Sequence, residues 1–350
     1  MRKVIILLTG LIFLSTLSCI DEIRLKIDTN QKQLAIEGLI ADRYDTYQIT
    51  VRYSAVIGIG NDNVLEPISG AKVMVFDDTG NRFEFLESDP GIYVKEMKGE
   101  LGRSYHTEIV LPDGTMIKST PAVLLKAPDI DTINSEIIEQ SFLNSAGNIT
   151  TYTNLILKLD THFDDFSTKP FLRWRASGEY EFKENYPGAL NTRTCYVNDR
   201  VDLNNLKIFD TRTLSGDRIF RQEFINTPLD YRFAIQYCFH ISQYAMTERE
   251  FLYWNSVRSV INIDGSLFDP PPGTVRGNLV KVDDPEEIIV GYFSVSGVSS
   301  KRFWANPQSL NQIYIEPKCV NRRNVPVTPD CRDCTDMPSS SLERPPYWIP

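Results

Sequence analysis

The chain has 350 residues, 42% of them hydrophobic and 24% charged, with a net charge of −9 at neutral pH. That length leaves room for two or three domains, and the apolar content suffices for a sizeable core. The acidic balance, with no basic stripe along the chain, excludes nucleic acid as an expected partner.

Arg2 and Lys3 open the chain, and a mostly apolar run follows from residue 4 to 17, interrupted at Thr9, Gly10, Ser15 and Thr16. Such a run suits a signal-peptide core and is too short for a membrane span, so residues 1–18 read as a signal peptide. It ends in Thr16-Leu17-Ser18-Cys19. A small residue followed by cysteine is where lipoprotein signal peptidase cuts, so Cys19 is the candidate lipidation residue. The usual box has Leu three places before the cysteine, where this chain has Thr16. Two or more acyl chains on one cysteine give lasting attachment, at about 0.8 kcal/mol per buried methylene. Residues 19–32 read as a polar, lipid-anchored tether. Within it, Ile20-Asp21-Glu22 resembles the surface-export signal of Bacteroidota lipoproteins. The expected location is therefore the outer membrane, facing the cell exterior. No second apolar run is long enough to span a bilayer.

From residue 33 the signal is β. Tyr47, Ile49, Val51 and Tyr53 alternate with Gln48, Thr50, Arg52 and Ser54, the period-two mark of a half-buried strand. Short runs at 71–76, 82–86, 92–96, 105–111 and 115–118 follow. They are separated by Asp77-Asp78-Thr79-Gly80, Asp89-Pro90-Gly91 and Pro112-Asp113-Gly114, all turn chemistry. About seven strands at this spacing predict an immunoglobulin-like β-sandwich over 33–126. There is no Cys–Trp–Cys core of the antibody type. Pro67-x-x-Gly70-Ala71-x-Val73, a turn, then Gly91-x-Tyr93 resembles transthyretin-like or carboxypeptidase-regulatory sandwiches.

Ala127-Pro128-Asp129-Ile130-Asp131 reads as a domain junction, and residues 127–350 as a larger β-rich domain. Strands are expected at 154–159 and 171–182. The longest alternation runs over 231–241, with Tyr231, Phe233, Ile235, Tyr237, Phe239 and Ile241 on one face. One helix is conspicuous, near 248–262. Thr247-x-x-Glu250 is a capping box, and Phe251, Trp254 (or Tyr253), Val257 and Ile261 recur at helical spacing. The stripe predicts core contact with a sheet, ending before Asp264-Gly265. The prolines of 268–273 predict a stiff, extended loop. Further strands are expected at 287–295 and 312–315, and a Pro- and Ser-rich tail from 328 to 350 along the surface.

Chemistry-bearing patterns are sparse. His106, His162 and His240 show no metal spacing among themselves. His162 stands near Asp164 and Asp165, a grouping able to bind a cation but read here as a polar turn. Cys238 and His240 share a strand face without a visible orienting partner. Asn61-Asp62-Asn63 reads as a turn. Phosphate loops, nucleophile elbows, dinucleotide glycine patterns and zinc-protease helices are missing from the sequence. A pair of glycosidase carboxylates would meet only in the fold. No metal, cofactor or catalytic residue is assigned, and the chain is read as non-catalytic.

Beyond Cys19, five cysteines remain, so in an oxidising compartment at least one is left over or pairs in trans. Cys331-Arg332-Asp333-Cys334 has no second C-x-x-C, so a disulfide from one of its cysteines to Cys319 is expected in preference to metal.

Several blocks of the C-terminal half occur in a specific order. They are Phe171-Leu172-Arg173-Trp174-Arg175, Tyr180-Glu181-Phe182, Cys195-Tyr196 and Gln243-Tyr244-Ala245-Met246-Thr247. Gly265-Ser266-Leu267-Phe268-Asp269-Pro270-Pro271, Arg276-Gly277-Asn278, Gly291-Tyr292-Phe293, Cys331-x-Asp333-Cys334 and Pro345-Pro346-Tyr347-Trp348 follow. Together they resemble the Bacteroidota domain-of-unknown-function 4249 lipoproteins over nearly the whole mature chain. The resemblance implies that Cys195, Cys319, Cys331 and Cys334 form disulfides and that Cys238 is the leftover thiol. The tail departs from the family pattern, with Ser339-Ser340-Ser341 in place of glycines. Family members are often encoded beside TonB-dependent outer-membrane receptors. The resemblance therefore implies an accessory lipoprotein of such a receptor in nutrient uptake, holding a small ligand, peptide or glycan. A structural or adhesive surface lipoprotein is the alternative, and a hydrolase with dispersed carboxylates a third reading.

Overall fold

β1 (Leu34–Ile40) and β2 (Asp45–Tyr53) bury alternate apolar residues and pair antiparallel. They open a computed structural model that describes residues 32–54, 65–143, 147–186, 188, 191–201, 206–261, 275–320 and 327–348. The expected signal peptide, Cys19, the expected tether up to residue 31, Asn61-Asp62-Asn63 and the expected 268–273 loop lie outside the described residues. The chain is mainly β.

Seven further strands follow before residue 126: β3 (Glu66–Pro67), β4 (Lys72–Asp77), β5 (Arg82–Asp89), β6 (Ile92–Met97), β7 (Ser104–Val110), β8 (Met116–Ser119) and β9 (Ala122–Val123). The turn chemistry sets their spacing. Asp77 accepts hydrogen bonds from the Thr79 and Asn81 backbone N–H groups and from both side chains. Burial alone would raise its pKa, but these bonds outweigh burial and hold the carboxyl well below the usual range. β5 pairs with β4 through Arg82–Phe85 and with β6 through Leu86–Asp89, so one strand serves both layers of a sandwich. Ile36, Ile49, Val51, Val73, Val75, Ile109 and Ile117 fill the space between the layers.

The remaining elements are β10 (Ile130–Leu143), β11 (Ile149–His162), β12 (Phe171–Lys183), β13 (Thr194–Asp199), β14 (Ile208–Asp210), β15 (Arg218–Pro228) and β16 (Tyr237–Met246). Then come α1 (Glu248–Ile261), β17 (Leu279–Lys281), β18 (Phe293–Val295), β19 (Gly297–Ala305), α2 (Pro329–Arg332) and β20 (Ser340–Ser341). Two of these correct the expected domain division. β17 pairs with β8, and β18 runs parallel to β1, so residues assigned to the C-terminal domain complete both layers of the N-terminal sandwich. Each is three residues long and its partner lies far upstream, so no local turn announces it. Asn278 ties the two returning strands: its side chain accepts from Phe293 N at 2.9 Å and donates to Phe293 O at 2.8 Å.

The second core lies between the β10–β11–β15 sheet and the sheet ordered β19–β16–β12–β13–β20. Leu155, Leu157 and Leu159 of β11 meet Leu172 and Trp174 of β12 and Tyr237, Phe239 and Ile241 of β16. Buried Gln243 accepts from Trp174 Nε1 and Thr161 Oγ1 and donates to Pro128 O. Three expectations fail here. The alternation over 231–241 is interrupted, because Asp230 caps a short 3-10 turn over Tyr231–Phe233 and the strand begins at Tyr237. Residues 312–315 form no strand, and within 287–292 only Val290 makes an isolated bridge, to Ala35. The tail does not simply lie along the surface, since it buries Cys331, Cys334 and Trp348. Among the described residues no helix is long and apolar enough to cross a membrane.

Candidate functional site: a basic trough on an open sheet face

Register builds the site. Arg173, Arg175 and Ser177 of β12 stand beside Tyr244, Ser242 and His240 of β16. Those three stand beside Val298, Ser300 and Arg302 of β19. Side chains alternate along strands, so all nine share one face, opposite the core face of Leu172, Trp174 and Ile241.

Both ends of this face are covered. At one end α1 packs down through Phe251, which stacks on Phe171, and through Trp254. The Arg173 guanidinium lies 3.5 Å from the centre of a Trp254 ring, a cation–π contact. At the other end the tail folds over. Trp348 meets Trp304 and Tyr196 edge-on, while Tyr347 meets His240 and lies under the Arg302 guanidinium. Between the two covers the floor is open: Arg175, Ser177, Ser300 and Arg302 are exposed.

The sandwich supplies a side wall. Arg43 donates to Ser300 Oγ at 3.0 Å and pairs with Asp45, and Glu37 stands 4.0 Å from Arg175. Ser242 and Ser300 share a hydrogen bond of 3.1 Å. The result is two adjoining cavities of about 420 and 870 Å³ that share Arg43, Arg175 and Tyr244.

The trough is basic in an acidic protein. Arg43, Arg52, Arg173, Arg175, Lys301 and Arg302 line it, against the carboxylates Glu37, Asp45 and Glu250. Lys301 is committed elsewhere, donating to the carbonyls of Ile130 and Asp131. Burial, then nearby Arg175, lowers Arg173 to about 10, still charged at neutral pH. The Arg173 Nε is buried without a hydrogen-bond partner among the described residues. Burial, reinforced by Arg302, lowers the pKa of His240, which favours the neutral ring.

Glu250 is the buried carboxylate of this region. The capping box is half formed: Glu250 N donates to Thr247 Oγ1 at 3.3 Å. The Glu250 carboxylate turns inward instead, accepting from Trp254 Nε1 and Ser296 Oγ, each at 3.2 Å. Burial pushes its pKa above the ordinary 4.5, against the hydrogen bonds and Arg173. As pH rises above 4.5 the unfolded chain releases its proton before the folded one does, so stability falls. Below that range both states hold the proton and the stability is fully present. Glu250→Gln, neutral throughout, should therefore give a flatter stability profile than the parent between about pH 4 and pH 8. Urea midpoints across that range check it, and parallel profiles would show that Glu250 titrates alike in both states.

The residues singled out from sequence lie elsewhere. Cys195 is bonded to Cys334, and Cys319 to Cys331. Cys238 is unpaired and buried beneath Tyr196 and Trp348, its thiol pushed up to about 12 by burial. It does not engage His240, whose Nδ1 accepts from Arg302 Nε at 3.3 Å. His106 stacks on Phe76. The ligating atoms of His162, Asp164 and Asp165 lie within 4.8 Å of one another on the exposed surface. His162 Nδ1 is already hydrogen-bonded to Asp131, which raises its pKa. The trough arginines escaped the sequence reading. Their one local signal was charge alternating with apolar residues through 171–175, and nothing local places Arg43 or Arg302 beside them.

No curated protein matches the chain. The family model "Domain of unknown function (DUF4249)" matches residues 20–302, and the chain belongs to that family.

Proposed function

We propose that this DUF4249 chain is an outer-membrane lipoprotein, anchored through Cys19 and facing the cell exterior. It serves without catalysis as the ligand-holding partner of a TonB-dependent receptor in nutrient uptake. The observation that supports the ligand-holding part is the trough. It is a concave surface with a few fixed polar groups, walled by one β-unit and floored by another, as binding sites between domains commonly are. Its lining consists mainly of guanidiniums, hydroxyls and aromatic rings, groups that hold and orient a ligand. The anchor and the receptor partnership rest on the sequence and on the family resemblance.

The test is a pull-down of the tagged protein from detergent-solubilised outer membrane, read by mass spectrometry. A TonB-dependent barrel in near-stoichiometric amount is the expected result, and a clean preparation without a barrel overturns the receptor partnership. One observation favours the adhesive alternative. On the β10–β11 hairpin the cross-strand pair Leu143 and Ile149 is 71% and 75% exposed, two apolar side chains available for contact with another surface. Recovery of matrix or host material in place of a barrel would support that reading.

A further inference from the structure

We infer that the trough binds an acidic oligosaccharide, its carboxylate or sulfate groups held by Arg43, Arg175 and Arg302 and its hydroxyls by the serine floor. The inference rests on the ligand-holding reading above and narrows it to one chemical class.

Charge selects an anion. The trough gathers arginines from three separate strands and the β1–β2 connection, in a chain whose net charge is −9. Several of them have donors to spare. Arg175 meets its nearest carboxylate only at 4.0 Å, and Arg52 makes no ion pair among the described residues. A guanidinium fork matches the two oxygens of a carboxylate or sulfate, and such charge-assisted bonds are the stronger kind.

The floor selects a sugar over a peptide. A peptide bound as an added strand draws its affinity from main-chain ladder bonds at a sheet edge. Here the ligand would meet the face of the sheet at β16, whose backbone is already paired on both sides, with β12 and with β19. The face offers side chains only: the hydroxyls of Ser177, Ser242 and Ser300, with the rings of Tyr244 and Tyr347 along it. Hydroxyl partners and an aromatic ring suit the mixed polar and C–H surface of a pyranose. The 870 Å³ of the larger cavity admits several sugar units.

Calorimetric titration of the mature full chain tests this. The probes are tetragalacturonate, a sulfated galactan tetrasaccharide, neutral galactotetraose and tetraglutamate. Binding of at least one acidic sugar is expected, and which one responds separates carboxylate from sulfate. The affinity should fall with added salt and weaken about tenfold or more in Arg175→Gln. Ser177→Glu, which sets a negative charge on the exposed floor, should weaken it similarly and serves if Arg175→Gln fails to fold. Binding of the neutral sugar as tightly as the acidic ones, tighter binding of tetraglutamate, affinity unmoved by the variants, or no acidic sugar bound each overturns the inference. A receptor barrel that co-purifies with a chain indifferent to acidic sugars would leave the accessory role and end the sugar assignment. Acidic-sugar binding without a barrel would do the reverse.

Discussion

Replacing Cys195 and Cys334 together by alanine should lower stability by about 4 to 5 kcal/mol. The bond closes a loop of sequence separation 139, and cross-linking a loop of that size removes much of the unfolded chain's freedom. Both sulfurs are buried and belong to the main C-terminal core. The bond also seats a polar cluster: buried Glu184 accepts from Cys334 N at 2.9 Å and from the Arg193 guanidinium, which also reaches Asp333. The second bond, Cys319–Cys331, has a separation of 12, so its loss should cost less, about 3 kcal/mol. Urea unfolding of the two double variants in parallel gives the comparison. Equal losses, or a larger loss for the short loop, would contradict the loop-closure argument.

Gly291→Ala should be destabilising on the order of 3 kcal/mol or more. Gly291 has φ +108°, a conformation side chains rarely adopt. A Cβ there would lie 2.0 Å from Ile36 O and 2.8 Å from Ile36 C, both backbone atoms of β1 that no rotamer change can move aside. The other side is as close, for a Cβ on Gly277 would stand 1.9 Å from Gly291 O. Three backbones are stacked where the returning segment enters the sandwich. Gly80 provides the control: its φ is +90°, but a Cβ there would meet nothing within 4 Å, so Gly80→Ala should cost only about 1–2 kcal/mol of backbone strain. A Gly291→Ala variant no worse than Gly80→Ala in thermal unfolding would show that the segment does not sit so tightly on β1.

What could be read in the sequence was what is decided locally. The sandwich strands were legible because each is bounded by a turn that carries its own chemistry, as at Asp77–Gly80 and Pro112–Gly114. The helix was legible through Thr247 and its aromatic stripe, although Glu250 leaves the cap to serve the interior. β10 was not legible, since Glu136, Glu139 and much of its length face solvent on both sides and no alternation marks it. The 231–241 alternation misled because Tyr231 and Phe233 do pack on the core, but from a turn: Phe233 stacks on Tyr237 at 4.6 Å. The trough was hidden for a different reason. Arg43, Arg175 and Arg302 converge only through pairings across long stretches of chain, and single-strand periodicity carries no trace of them.

The return of β17 and β18 also sets an order of events. A chain made or exported from its N-terminus presents β1 to β9 long before residue 295 arrives. Until then β1 and β8 are bare sheet edges, and the core lacks Leu279, Phe293 and Val295. Closing the sandwich means joining Gly38 to Phe293 in parallel across most of the chain's length. Non-local pairing of that kind folds slowly, because loop entropy is lost before contacts repay it. The sandwich therefore cannot mature as an independent first unit. Its last strands come only after the second sheet's β10 to β16 have been laid down, so the two units finish together.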